Sequence, residues 1–279
     1  MGHLSMIPRV IHYCWFSGES KPVLMRECIK SWERLMPDYR IKCWDASSLD
    51  LSVPFLKQAY EHKSWAFLTD YMRFYILWQE GGIYFDSDVE AYQRFDSFLK
   101  HEMFSCVEYE ESLFLKNGLH LIDDKGHLID TFSSNRSFGI AIEAAIIGAV
   151  KGHPYIKACL DYYRNISYVD HDGIVFRKEC PVVMAEVAIP YGFVYKNERQ
   201  ELNDGICLYP YPTFVYGEGL EEKGAYARHW RNGSWRDKTE MSRVYKWLSR
   251  FHLEYLYKQL ERSPFGYRLY RRISHILNK

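Results

Sequence analysis

The sequence predicts an α/β fold, and three observations carry the prediction. Short runs of β-forming residues alternate with helix-spaced apolar positions from residue 10 onward. A helix apolar on most of its circumference runs into a short apolar strand through Gly81-Gly82. That strand ends on Asp86-Ser87-Asp88, and ligands of open α/β sheets bind outside the carboxyl ends of strands.

Taken in order, Val10 to Phe16 (VIHYCWF) follows Pro8, closes on Ser17-Gly18 and reads as a buried strand. Pro22 opens a helix to about Met36, with Leu24, Cys28, Ile29, Trp32 and Leu35 on one stripe. Pro37-Asp38 ends it, and Tyr39 to Trp44 forms a second strand. Ser64 is placed to cap a helix running to Glu80, with Gly81 at its C-terminal turn. Asp70 and Arg73 are its polar exceptions; three apart, they share a face. Ile83-Tyr84-Phe85 is the strand that delivers Asp86 and Asp88. Met103 to Val107 reads as a strand, and Leu119 to Leu128, with Asp123-Asp124-Lys125-Gly126, as a hairpin turn. Ala141 to Val150 and Pro154 to Asn165 read as helices, and Tyr209 to Gly219 as extended chain and loops. Two basic helices, Met241 to Leu260 and Tyr267 to Leu277, break at Ser263-Pro264.

The 279 residues suffice for one large domain with an appendage, expected as a body over 6–240 and a tail over 241–279. Zero formal charge argues against a nucleic-acid partner. It conceals an asymmetry: residues 241–279 carry nine Lys/Arg against Glu254 and Glu261, net +7, leaving −7 for the rest. Aromatics reach 17%, which suits packing and also the stacking of bases or sugar rings. The seven cysteines are scattered without a CxxC pair, so neither a disulfide framework nor a zinc cluster is written in their spacing. Reduced thiols in the cytoplasm are expected. No run of about 18 apolar residues spans a membrane. Met1 to Ser5 lacks the apolar core of a signal peptide, and Met6 is an alternative natural start.

The chemistry concentrates at Asp86 and Asp88. Side chains alternate along extended chain, so an Asp-x-Asp points both carboxylates the same way. Their repulsion is relieved by a hard divalent cation, Mg²⁺ or Mn²⁺, which also accepts phosphate oxygens. Such a site suits a nucleoside diphosphate leaving group. Arg73 on a buried helix needs a partner; it serves either a structural ion pair with Asp70 or, with Asp70, a bound diphosphate and sugar.

Ile7 to Phe16, Ser31-Trp32 with Pro37-Asp38-Tyr39, Ala66 to Phe74 and Gly81 to Glu90 together resemble glycosyltransferase family 32. The resemblance is dense over 7–96, recurs at Lys151 to Pro154, and returns at His229-Trp230 and Ser234-Trp235. It implies a GT-A type nucleotide-binding mixed sheet flanked by helices, with 241–279 outside it as a basic helical extension. It also implies a metal-dependent, retaining transfer from a nucleotide sugar, with UDP sugars favoured, to a saccharide or lipid-linked acceptor in surface polysaccharide synthesis. Carried onto matching positions, Trp15 stacks on the base, Asp70 and Arg73 hold sugar and phosphates, and Asp86 binds ribose, sugar and metal-bound water. Asp88 ligates the metal, with His229 a further candidate ligand. His229, Ser234 and Trp235 form a loop closing over the diphosphate. Two positions depart from the pattern: Glu143 stands where relatives often carry an amide residue, and Glu179-Cys180-Pro181 replaces Thr-Gly-Pro.

Two other function classes fit parts of the sequence. A hydrophobic strand before Asp-x-Asp also opens haloacid-dehalogenase-like phosphatases, where one Asp is the nucleophile. A carbohydrate- or membrane-binding protein without catalysis would keep the scaffold alone. The tail interleaves Trp247, Phe251, Tyr255, Tyr257 and Leu260 with Arg and Lys, which suits either the anionic inner face of the cytoplasmic membrane or a solvated helical pair.

Overall fold

The computed structural model describes residues 6–130, 134–216, 223–231 and 250. Five elements precede the Gly81-Gly82 turn: β1 (Val10–Cys14), α1 (Val23–Leu35), β2 (Arg40–Trp44), α2 (Pro54–Glu61) and α3 (Trp65–Glu80). After it come β3 (Gly82–Phe85), β4 (Val89–Ala91), β5 (Met103–Tyr109), α4 (Glu111–Asn117), β6 (Ile140–Ile142) and β7 (Ile146–Ala149). The remaining described elements are α5 (Pro154–Arg164), α6 (Cys180–Ala188), β8 (Gln200–Glu201), β9 (Ile206–Tyr209), β10 (Phe214–Tyr216) and β11 (Ala227–His229). The chain divides into two compact units. Of the described residues, the larger holds those up to Gly18 with those in Asp38–Asp86 and Phe95–Thr213; the smaller holds Glu19–Pro37, Ser87–Arg94 and those from Phe214 onward.

The larger unit is a mixed α/β sheet in the order β2-β1-β3-β7-β5-β9-β8, with β6 paired to β5. β1 pairs in parallel with β2 and β3, while β7 runs antiparallel to both β3 and β5. β3 and β5 therefore point the same way, and β9, parallel to β5, joins them. The carboxyl ends of β1, β2, β3, β5 and β9 thus share one edge, and the turn at 143–145 that enters β7 lies on it too. Helices α2, α3, α5 and α6 bury their apolar stripes, Phe55, Leu68, Phe74, Tyr155, Leu160 and Met184 among them, in one core with the sheet. This is the large mixed sheet flanked by helices that the sequence leads one to expect.

The smaller unit is a three-stranded sheet, β10-β11-β4, with β10 parallel and β4 antiparallel to β11. Helix α1 finishes the second edge of β4: Trp32 donates its indole N–H to the Val89 carbonyl at 2.8 Å, and Ser31 Oγ accepts from the Ala91 N–H at 2.9 Å. A strand edge buried beneath a helix must find partners for its backbone, and Ser31-Trp32 supplies them.

Three expectations are corrected, and two helices are added. Ala141 to Val150 is two strands, β6 and β7, not a helix. Both faces of these strands are buried, so they show no alternation, and a buried apolar run does not reveal its period. Ser64 precedes α3 but does not cap it with its side chain; its hydroxyl pairs with Tyr168 at 2.6 Å instead. Helices α2 and α6 had no counterpart in the sequence reading, although each opens on a proline in its first turn. β1 ends at Cys14, two residues short of Phe16. The turn at Asp123 does form, closed by the Asp123 carboxylate accepting from Lys125 and His127 N–H groups at 2.9 and 2.8 Å. No helix among the described residues is long and apolar enough to cross a membrane. The tail over 241–279 lies outside the described residues except for Arg250.

Candidate active site

Helix rise and strand rise set where Arg73 and Asp86 meet. Arg73 stands eight residues before Gly81, about 12 Å of helix. Asp86 stands four residues beyond Gly82, about 13 Å of strand. A chain reversing at Gly81-Gly82 therefore brings them level. Both glycines hold positive φ, +67° and +108°, and a Cβ on Gly82 would lie 2.8 Å from the Val10 carbonyl, so no other residue fits without strain.

The result, in the larger unit, is a buried cluster centred on Arg73. Its Nη2 donates to Asp70 Oδ1 at 2.8 Å and stands 3.5 Å from Asp86 Oδ1. Its Nη1 donates to the Ala144 carbonyl at 2.6 Å, and its Nε to the Thr69 carbonyl at 3.3 Å. Tyr84 donates its hydroxyl to the same Asp86 oxygen at 2.6 Å, and its ring lies 5.2 Å from the guanidinium carbon. The Asp86 N–H is held by the Ala145 carbonyl at 2.9 Å. One cation thus fixes two carboxylates and the turn between β6 and β7. Ser105 holds that turn from behind, its hydroxyl 2.7 and 2.9 Å from the Glu143 and Ile146 carbonyls.

Burial dominates the electrostatics. It pushes the Asp70 carboxyl up to about 7, against the pull of Arg73 and with the help of Asp86. It likewise raises Tyr84, reinforced by Asp86, and keeps the phenol protonated as a donor. Trp15 directly follows β1 on the same sheet edge, half-buried, its N–H bonded to the Trp44 carbonyl at 2.8 Å.

In the smaller unit, the register His229↔Val89 sets His229 beside Asp88, Nε2 3.6 Å from Oδ1. Trp230 donates its backbone N–H to the Asp88 carbonyl at 3.1 Å and its indole N–H to Glu90 at 3.1 Å. Trp230 and Arg228 are fully buried, and Arg228 donates to the Tyr92 hydroxyl at 3.0 Å. The backbone on both sides of His229 is therefore anchored by buried neighbours. A carboxylate beside an imidazole is a donor set that Mn²⁺ accepts.

Of the residues singled out from sequence, the structure sets Asp70, Arg73, Asp86 and Trp15 in the larger unit and Asp88 and His229 in the smaller, with the chain passing from one to the other at Ser87. Ser234 and Trp235 lie outside the described residues. Tyr84, Ser105 and the backbone of 143–145 went unnoticed. Tyr84 was recoverable, since alternation sets it on the same side as Asp86; Ser105 and the 143–145 turn carry no local signal.

Residues 22–105 match the family model of the glycosyltransferase sugar-binding region containing the DXD motif. That match bears out the expectation of a glycosyltransferase drawn from the same stretch. No curated protein matches the sequence significantly. Among solved structures, the chain is similar to the glycosyltransferase PaToxG, at 14% identity and a TM-score of 0.43, over 67% of this chain and 70% of that one. It is similar also to a glycosyltransferase involved in glycosylation of the major capsid of PBCV-1, at 11% identity and 0.39, over 80% and 93%. A third is the galactosyltransferase LgtC in complex with donor and acceptor sugar analogs, at 12% and 0.35, over 74% and 75%.

Proposed function

We propose that the protein is a metal-dependent, retaining glycosyltransferase that moves a sugar from a nucleotide donor, a UDP sugar by preference, to a saccharide or lipid-linked acceptor. Its setting is surface polysaccharide synthesis on the cytoplasmic side of a membrane. The observation that carries this reading is the Arg73 cluster. Arg73 orients Asp70 and Asp86 and fixes the turn that faces them, so two carboxylates are preorganised at the ligand-binding edge of the sheet.

Within this reading Asp88 and His229 hold Mn²⁺ or Mg²⁺, which when bound neutralises charge on the departing diphosphate. Asp70 accepts hydrogen bonds from the donor sugar's hydroxyls, for which its carboxylate is held by Arg73. Trp15 stacks on the base, and Asp86 also meets the ribose and sugar. Ser234 and Trp235 belong to the loop that covers the diphosphate. No second nucleophile is required for retention: the departing phosphate oxygen takes the acceptor's proton on the face it leaves, while the protein keeps both partners oriented.

The phosphatase alternative wants one of the Asp-x-Asp carboxylates as a nucleophile on the first strand of the core. Here the strand is β3, in the middle of the sheet and third in sequence.

Asp88→Ala is the decisive variant. Loss of a charge-stabilising group at the reacting centre costs about 10²–10³ in kcat. Manganese-dependent release of sugar from a panel of nucleotide sugars is expected in the wild type and to fall by at least that factor in the variant. Turnover near wild type would overturn the metal assignment; p-nitrophenyl phosphate hydrolysis without nucleotide-sugar turnover would favour the phosphatase.

A further inference from the structure

A second constellation of metal-binding side chains stands in the larger unit, away from Asp86. His101, Glu201 and Cys207 each offer a ligand atom, and these atoms all lie within 4.8 Å of one another. The fold rather than the sequence brings them together. Glu201 and Cys207 are direct partners across the antiparallel pair β8–β9, which sets their side chains on one face. His101 precedes β5, whose first residues pair with Ile206 and Cys207 of β9.

Strand register fixes the distance from the active-site edge. Ala149 of β7 pairs with both Gly82 of β3 and Met103 of β5, so these two residues are level. His101 therefore sits beyond the amino ends of the strands, more than four strand positions, or roughly 13 Å, from the level of Asp86.

The local contacts are those of a preformed site. Cys207 Sγ lies 3.6 Å from Glu201 Oε1. Ligand atoms on a tetrahedral zinc ion are roughly 3.3–3.8 Å apart, given bonds of about 2.0–2.3 Å. His101 Nε2 is 2.7 Å from the Tyr209 hydroxyl, which locks the ring's orientation. Cys207 is buried and Glu201 exposed, so the cluster opens to solvent on its carboxylate side. Arg199 donates to Glu201 Oε1 at 3.0 and 2.5 Å, an exposed ion pair that an incoming cation displaces.

We propose that His101, Glu201 and Cys207 form a zinc site that ties the segment before β5 to the β8–β9 edge of the sheet. As the metal–sulfur bond forms, the Cys207 thiol gives its proton to water, and solvent fills the remaining position. A thiolate and an imidazole select a borderline-soft ion, whereas an Asp-x-Asp selects a hard one, so the two sites take different metals.

Cobalt(II) tests this, because only a thiolate ligand gives a sulfur-to-cobalt charge-transfer band in the near ultraviolet, and Asp86, Asp88 and His229 offer no sulfur. Full-length protein titrated with Co²⁺ under phosphine reduction is expected to show that band at one equivalent. Zinc is expected to abolish it; Cys207→Ser is expected to lack it, while Cys43→Ser, at the exposed thiol, retains it. Should Cys207→Ser fail to fold, Glu201→Gln, at the exposed residue of β8, is expected to weaken Co²⁺ binding by about tenfold or more. Absence of the band in the wild type, its persistence without Cys207, or unchanged affinity in Glu201→Gln would each overturn the site. None of these outcomes bears on the transferase reading, which Asp88→Ala tests separately.

Discussion

His12 shows how one buried side chain sets an acid limit on the fold. It is fully buried on β1, with Nε2 2.9 Å from the Gly81 carbonyl and Nδ1 3.2 Å from the Trp44 indole nitrogen. A carbonyl only accepts and an indole N–H only donates, so the ring is neutral with its proton on Nε2. Protonating Nδ1 would set two N–H groups against each other. Burial lowers its pKa from 6.5 to about 4, opposed by the Gly81 carbonyl and Glu80 and assisted by Lys42 and Arg40. The folded state therefore binds the proton more weakly than the unfolded state, and the stability gained from neutral His12 is present above pH 6.5 and lost toward pH 4. The loss amounts to roughly 3 kcal/mol at about 1.4 kcal/mol per pKa unit. Urea unfolding from pH 7 to 4 is expected to show this decline in the wild type and a shallower one in His12→Gln, which keeps a donor and an acceptor but cannot charge. Parallel profiles would refute the assignment.

At the scale of elements, the centre of the sheet depends on a gap in β7. A Cβ on Gly148 would lie 2.0 Å from the Phe104 ring, which is itself stacked on Phe98 at 4.9 Å. Gly148→Ala is expected to cost about 1–3 kcal/mol by forcing Phe104 off its rotamer. The cost should shrink in a Phe104→Leu background, a non-additivity readable in a double-mutant cycle by denaturant unfolding. Full additivity would mean that the ring does not resist the methyl group. The same strand explains what could be read from sequence and what could not. α1 and α3 were legible because solvent or a single polar pair marks their faces, and β3 because Gly81-Gly82 punctuates it. β6 and β7 were not, since burial on both faces erases the alternation that would reveal a strand. The Asp70–Arg73 pair was legible from helical spacing alone; its anchoring to Ala144 was not, because that contact spans 71 residues of sequence. The His101–Glu201–Cys207 cluster was invisible for the same reason.

For the whole molecule the informative quantity is where the charge sits. The chain is neutral, yet 241–279 carries +7 and the remainder −7. An anionic surface would repel the body and attract the tail, and each Lys or Arg near such a surface contributes about 1 kcal/mol, falling away within a Debye length. Several of those cations stand among aromatic residues, which seat at the headgroup level. A transferase using a lipid-linked acceptor gains from this polarity, since the tail would hold the protein where its acceptor is concentrated. The full chain is therefore expected to sediment with phosphatidylserine-containing vesicles at low salt, less so with neutral vesicles, and less again as salt rises. Replacing Arg268, Arg271 and Arg272 together by Glu takes the segment from +7 to +1 and is expected to abolish pelleting. Donor hydrolysis in solution should be unchanged, because none of the three belongs to the proposed machinery. Equal pelleting of variant and wild type would remove the membrane from the account while leaving the transfer chemistry untouched.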